Sequence, residues 1–311
     1  ICIMKISIII PVFNESESLT VLYDRIVPVM KSIDIIYEII FVDDGSTDNS
    51  FEILRNIYDN DRENVKIIQF TRNFGKGAAL YAGLKQAGGD IVITMDGDLQ
   101  DDPSEIPKFI SKINDGYDVV SAWRIQRQDT ACKKLASAVF NKITSVLTGI
   151  KIHDFNSGYK AYKKEVIDEI KIYGTLYRYI LVFLFHKGYS VCEVKIKHHA
   201  RGYGSSRYNN WRLFGAFWDI FTVMFLTKYS SKPLHFFGPV GLMSFLAGFA
   251  INVYLTFLRF QGQYISNRPV LILGVLLMIM GVQIFSVGLI GEMFLNNSIK
   301  SDYYSIRKVL K

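Results

Sequence analysis

The chain predicts an α/β domain on a mostly parallel sheet, followed by a membrane hairpin of two helices. Three observations predict it. Short apolar runs alternate with helix-periodic segments through the N-terminal half, polar clusters stand where those runs end, and two long uncharged apolar stretches lie near the C-terminus. Strands separated by helices of this length form βα units, which pack as a sheet covered on both faces.

Lys5–Ile10 is the first apolar run, ended by Pro11, and Ser18–Lys31 has helical periodicity. Ile35–Val42 reads as a second strand stopped by Asp43-Asp44-Gly45-Ser46, Asp48–Tyr58 as a helix and Val65–Phe70 as a strand. Gly77–Ala87 reads as a helix closed near Gly88-Gly89, and Ile91–Met95 and Val119–Ala122 as further strands. Ala131–Leu147 follows as an apolar, Lys-bearing helix. Asn210–Phe225 carries Trp211, Phe214, Phe217, Trp218 and Phe221 with few charges, which suits a helix lying in the membrane interface.

Leu234–Leu258 and Pro269–Ile290 contain no Asp, Glu, Lys or Arg, so each can cross about 30 Å of hydrocarbon as a helix. The polar segment Arg259–Arg268 is the expected far-side loop. Lys228, Lys232, Lys300, Arg307, Lys308 and Lys311 flank the spans on the other side and outnumber Arg259 and Arg268, which puts the catalytic domain and both termini in the cytoplasm. The start Ile1-Cys-Ile ahead of Met4 reads as a remnant before a natural start, with no cleavable export signal expected. The expected organisation is residues 1–207 catalytic, 208–232 interfacial, 233–295 hairpin and 296–311 tail.

The 311 residues carry a net charge of +7, which suits anionic lipid and phosphates. The basic residues are scattered and no reader motif is present, so nucleic acid is not an expected partner. Cys2, Cys132 and Cys192 have no paired or metal-site spacing, consistent with a reducing compartment.

In open sheets of this kind ligands bind beyond the carboxyl ends of the strands, where Pro11–Glu15, Asp43-Asp44 and Asp96-Gly-Asp98 fall. A carboxylate pair such as Asp96 and Asp98 repels itself, and a divalent cation shared with a diphosphate removes that cost. Oxygen ligands favour Mg²⁺, with Mn²⁺ also acceptable, and Gln100 adds a ligand or orients a metal water. A phosphate group needs cations that a carboxylate-rich turn lacks. Arg124 and Arg127 follow a strand end, Lys133 and Lys134 open the next helix, and Arg201 and Arg207 lie in a Gly-containing basic loop.

Together Pro11-Val-Phe-Asn-Glu15, Val42-Asp-Asp-Gly-Ser-Thr-Asp48, Arg72-Asn-Phe-Gly-Lys76 and Met95-Asp-Gly-Asp-Leu-Gln-Asp-Asp-Pro103 resemble the family 2 glycosyltransferases of GT-A fold. The subgroup resembled is the polyprenyl-phosphate sugar transferases, GtrB-like and dolichyl-phosphate mannose synthase-like, over nearly the whole chain. The resemblance implies a Rossmann-like nucleotide-diphospho-sugar domain. Pro11, Asn14, Glu15 and Asp44 then line the nucleotide pocket with Asp43 nearby, Phe13, Lys76 and Gly97 belong to the same donor-side motifs, and Asp96, Asp98 and Gln100 hold the metal. His153-Asp154-Phe-Asn-Ser-Gly-Tyr-Lys160 resembles the family segment near the acceptor, which makes Asp154, beside Asp98, the candidate catalytic carboxylate and adds Lys160 to the cations for the acceptor phosphate. Lys160 stands where relatives often have Arg, and Tyr173–Arg178 lacks the acidic residue common in the corresponding donor-side segment.

The activity implied is metal-dependent, inverting transfer of a hexose, with glucose from UDP-glucose expected, to undecaprenyl or another polyprenyl phosphate. Mannosyl, N-acetylhexosaminyl and amino-arabinosyl transfer are the alternatives within the class. A processive synthase is disfavoured by only two spans and no Gln-x-x-Arg-Trp motif, and a non-enzymatic nucleotide-sugar-binding scaffold is the other rival. Self-association is expected, as are a downstream lipid-sugar flippase and glycan transferase.

Overall fold

The computed structural model describes residues 4–125, 148–170, 174–199, 232–262 and 269–298, with isolated positions between 137 and 145 and between 222 and 229. The chain divides into two compact units, Ile1–Val223 and Met224–Lys311.

In the first unit β1 (Lys5–Val12), β2 (Ile36–Asp43), β3 (Val65–Gln69) and β4 (Ile91–Thr94) run parallel, joined by α1 (Leu19–Ile33), α2 (Ser50–Asn60) and α3 (Lys76–Gln86). After α4 (Ile106–Asn114) come β5 (Val119–Arg124), β6 (Lys160–Lys163), the short α5 (Lys164–Ile167), α6 (Ile180–His186) and β7 (Val191–Ile196). The sheet order is β3-β2-β1-β4-β6-β5-β7, with β6 antiparallel to both neighbours. β1 and β2 are buried along most of their length, so they read as mostly apolar runs, interrupted only by Ser7 and Glu38, rather than alternating ones. Leu19, Leu22, Ile26 and Met30 recur at helical spacing on α1 and join the core with Ile8, Phe41 and Phe109.

Register decides where the functional edge lies. Val12 pairs with Asp43, Asp43 with Gln69, and Ile9 with Thr94, so the carboxyl ends of four strands meet at one edge. Because β6 runs the other way, its first residue, Lys160, pairs with Thr94 and with Ser121 and arrives at that same edge. Neither β6 nor β7 was expected. β6 is only Lys-Ala-Tyr-Lys, and β7 places Glu193 and Lys195 among apolar residues, so neither carries a strong strand period. The expected helix over 131–147 is described only at isolated positions, and the expected interfacial helix over 210–225 lies almost wholly outside the described residues.

The second unit holds α7 (Leu234–Phe260) and α8 (Pro269–Ser298), both longer than the uncharged stretches that predicted them. Each is long and apolar enough to cross a membrane and is mostly exposed, unlike the core helix of a soluble domain. They pack antiparallel through small residues: a Cβ on Gly241 would come within 2.7 Å of the Gly281 carbonyl oxygen, and one on Gly248 within 2.4 Å of that of Gly274. These two helices form a membrane anchor.

Candidate active site

The first wall of the site is a lacing of the loops after β1 and β2. Asn14, at φ 56°, donates its backbone N–H to Ser46 Oγ (2.9 Å), and its Oδ1 accepts the Thr47 N–H (2.8 Å). The Glu15 N–H donates to Ser50 Oγ at 2.9 Å. Gly45 is required at φ 68°, because a Cβ there would lie 2.4 Å from the Arg72 backbone.

The two aspartates ending β2 have separate work. Asp44 accepts the N–H groups of Phe74 (2.7 Å) and Gly75 (2.9 Å) and so holds the loop before α3, while burial pushes its carboxyl up. Asp43 is fully buried. Its Oδ1 accepts the Ser46 N–H at 3.0 Å, and its Oδ2 has no partner among the described residues. A buried carboxylate oxygen without a donor is costly unless a ligand supplies one.

The acidic turn follows β4. Lys76, at the start of α3, puts its Nζ 2.5 Å from Asp96 Oδ1. Burial works against both charges, yet the pairing holds Lys76 above and Asp96 below their ordinary values. Leu99 takes φ 63°, which folds the turn so that the Gln100 N–H donates to Asp98 Oδ1 (3.2 Å) and the Gln100 amide to the His199 carbonyl (3.4 Å). Ser18 Oγ, at the head of α1, donates to the Gly97 carbonyl at 2.7 Å and ties this turn to the first wall. Burial, and after it the Asp96 charge, pushes Asp101 up to about 7.

Opposite stands a second cluster. Arg124, ending β5, donates from Nε and Nη2 to the two oxygens of Asp154 at 2.6 and 2.9 Å, a bidentate fork. Lys160 is 4 % exposed, and its ammonium donates to the Ser157 carbonyl. Burial, with the Lys76 charge after it, pushes Lys160 down to about 8. The clusters touch through Gly158, where a Cβ would sit 2.5 Å from Asp96 Oδ1.

The structure thus gathers Lys76, Asp96, Arg124, Asp154 and Lys160, whose charges act on one another, beside the turn of Gly97, Asp98 and Gln100. Pro11, Phe13, Asn14, Glu15, Asp43 and Asp44 belong to the adjoining strand ends and loops. Arg127, Lys133, Arg201 and Arg207, expected at the acceptor phosphate, lie outside the described residues.

Sequence reasoning missed Glu193 of β7. Its Oε1 accepts the N–H groups of His153 (2.8 Å) and Asp154 (3.0 Å), and its Oε2 lies 2.8 Å from His153 Nδ1. That clamp fixes the backbone carrying Asp154, and a lone acid in a strand gives no sign of it. It also missed Asp101, which the acidic run through Asp102 could have suggested.

The donor set around Asp98 fits a hard divalent cation. It is all oxygen, and beside it the carboxyl of Asp101 is pushed up first by burial and then by the charge of Asp96. Among the described residues no group of three or more His, Cys, Asp or Glu could cage a metal.

A mostly parallel α/β sheet with an acidic turn at its ligand edge, facing buried cations, defines a GT-A-type transferase domain. Residues 7–171 match the model of glycosyl transferase family 2 and residues 232–295 that of the GtrB C-terminal hairpin; the chain belongs to glycosyl transferase family 2. It is a glycosyltransferase related to the GtrB, polyprenyl-phosphate group.

The chain is 34% identical to a dodecaprenyl-phosphate galacturonate synthase of Rhizobium johnstonii, covering 98% of this chain and 93% of that protein. It is also 34% identical to an undecaprenyl-phosphate 4-deoxy-4-formamido-L-arabinose transferase of Proteus mirabilis, covering 93% and 88%. In fold it is similar to glucosyl-3-phosphoglycerate synthase from Mycobacterium tuberculosis, crystallised with Mn²⁺, UDP and phosphoglyceric acid, with a TM-score of 0.57, 20% identity and coverage of 72% and 78%.

These relatives overturn glucose as the expected sugar. The relatives described above, which match along almost the whole chain, are named for galacturonate and formamido-arabinose. The amino-arabinosyl alternative fares better. The physical reason is that metal and nucleotide motifs report the diphosphate end of a donor and leave the sugar unread.

Proposed function

We propose that the protein transfers a non-glucose sugar of the class its relatives are named for, galacturonate or a 4-substituted arabinose, from a UDP-linked donor to a polyprenyl phosphate. The observation that carries this reading is the opposition of the Asp96-Gly97-Asp98 turn to the buried Arg124–Asp154 pair and Lys160 across one sheet edge, in a chain that also bears a membrane anchor.

The loops after β1 and β2 bind the nucleotide, and the orphaned Asp43 Oδ2 is positioned to accept a hydrogen bond from it. What Mg²⁺ or Mn²⁺ supplies when bound is neutralisation of the charge on the departing diphosphate, and Asp96, Asp98 and Gln100 are the residues that would hold it. A phosphate-monoester oxygen of the acceptor attacks the anomeric carbon as the bond from that carbon to the diphosphate oxygen breaks, with inversion, releasing UDP. That oxygen is already anionic near neutral pH and needs little deprotonation. Asp154, held by both oxygens on Arg124, therefore orients the acceptor or sugar more than it removes a proton. Lys160 and the outer edge of Arg124 supply positive charge to the acceptor phosphate, with Arg127, Lys133, Arg201 and Arg207 completing it. The membrane anchor keeps this chemistry at headgroup depth, with the catalytic domain on the cytoplasmic side.

The test is mass spectrometry of polyprenyl-phosphate lipids from membranes expressing the wild type or Asp98→Asn. A uronate- or arabinose-bearing lipid present only with the wild type is expected. Equal amounts of it with both would sink the reading.

A further inference from the structure

Two cations compete for Asp96. As a metal ligand it would hold a divalent cation, yet its Oδ1 already takes the Lys76 ammonium at 2.5 Å. Two positive charges on one carboxylate oxygen repel each other strongly at such a distance. Either the carboxylate or the ammonium must give way when metal and donor arrive.

The carboxylate is the fixed member. The Asp96 N–H donates to Asp101 Oδ2 (3.2 Å), and the side chain is pressed on Gly158, where a Cβ would lie 2.5 Å from Oδ1 and 2.9 Å from Oδ2. The root of Lys76 is fixed as well, because Asp44 holds the N–H groups of Phe74 and Gly75 just ahead of α3. What remains movable is the four-carbon stem of Lys76, about a third exposed and ending in a compact ammonium. A second resting place is at hand. The Tyr177 ring, on the turn Gly174–Tyr179, has its centre 5.9 Å from Lys76 Nζ, within reach of a cation–π contact.

We propose that Lys76 occupies Asp96 until the donor's diphosphate draws it off, so that the protein takes a divalent cation tightly only together with the nucleotide. Lys76 leaves Asp96 Oδ1 for the diphosphate, whose negative charge offsets the lost ion pair, and the freed carboxylate oxygen joins Asp98 and Gln100. The coupling is reciprocal: the factor by which nucleotide tightens the cation is the factor by which the cation tightens nucleotide. Because Asp44 belongs to the loop after β2 and fixes the start of α3, the nucleotide wall and the lysine that yields to the diphosphate are one connected unit. The inference rests on the proposed assignment of Asp96 and Asp98 to the metal.

The test measures Mn²⁺ binding to the purified full chain directly, by loss of the free-Mn²⁺ electron paramagnetic resonance signal, with and without UDP, for wild type, K76M, K76R and D98N. K76M keeps the stem and drops the charge, so it should bind Mn²⁺ alone about tenfold more tightly than the wild type and gain less from UDP, a change on the scale usual for coupled sites. K76R keeps the charge and should take Mn²⁺ alone as weakly as the wild type. Lys76→Gln replaces K76M should that variant fail to fold. Mn²⁺ bound by the uncharged variant no more tightly than by the wild type overturns the proposal, as does equal tightening in K76R. A wild type that binds no Mn²⁺ even with UDP, or D98N that binds it equally well, marks failure of the metal assignment itself, and the proposal falls with it.

Discussion

Asp98 and Asp154 are both acids of the same site, yet their surroundings differ. Asp154 is 3 % exposed and tied through both oxygens to Arg124, whereas Asp98 belongs to the turn beyond β4 and takes a backbone N–H from Gln100. Replacing Asp98 with Asn should lower transfer about 10²–10³-fold, the scale of losing one electrostatic stabiliser of a developing charge, with membrane insertion unchanged; a radiolabelled-transfer assay reads it. Glu193 acts at one remove. Glu193→Ala strands the His153 and Asp154 N–H groups and should cut kcat about ten- to a hundred-fold through misplacement of Asp154. UDP binding should stay unchanged, and Glu193→Gln, which keeps a carbonyl acceptor, should restore most of the rate. Equal loss in both variants would remove Glu193 from the positioning role.

At the scale of elements, Glu38 ties the far end of the sheet. It takes donors from Lys5 and Ser7 of β1, Lys66 of β3 and the Gly88 N–H before β4. Burial alone would raise its carboxyl, but these donors together hold it at about 2. Its folded value lies below its ordinary 4.5, so its stabilisation is present above about pH 4.5 and is lost as pH falls toward about 2. Glu38→Gln should destabilise the fold by about 2–4 kcal/mol at neutral pH and flatten the acid limb of a urea-unfolding series. Gly158→Ala should disable transfer, since its methyl would displace Asp96.

The strands β1 to β5 were legible because buried parallel strands write long apolar runs closed by Pro11, Asp43 or Asp96. β6 was not legible, being four residues with a lysine at each end, and with it went the reason Lys160 reaches the site. Asp96 and Asp98 announced themselves by spacing. The clamp from Glu193 and the division of labour between Asp43 and Asp44 depend on hydrogen bonds between segments far apart in sequence, which no local pattern records.

For the whole molecule, two apolar helices packed through glycine contacts make up the second unit. Gly281→Leu should separate α7 from α8, because a Cβ alone already meets the Gly241 carbonyl oxygen at 2.6 Å. Lower yield of carbonate-resistant protein is the expected readout. Membrane anchoring was plain from the missing charges, whereas the sugar was not, because the acidic turn and nucleotide motifs report the diphosphate end of a donor. Glucose was read from family likeness alone, and whole-chain relatives corrected it.

The most direct measurement is transfer by the purified full chain to undecaprenyl phosphate with Mg²⁺, comparing UDP-galacturonate, UDP-4-deoxy-4-formamido-L-arabinose and UDP-glucose, each with and without chelator. The account predicts lipid-linked product from the uronate or the arabinose donor, little from UDP-glucose, and none once metal is removed. UDP-glucose as the preferred donor, or transfer that survives chelation, would contradict it.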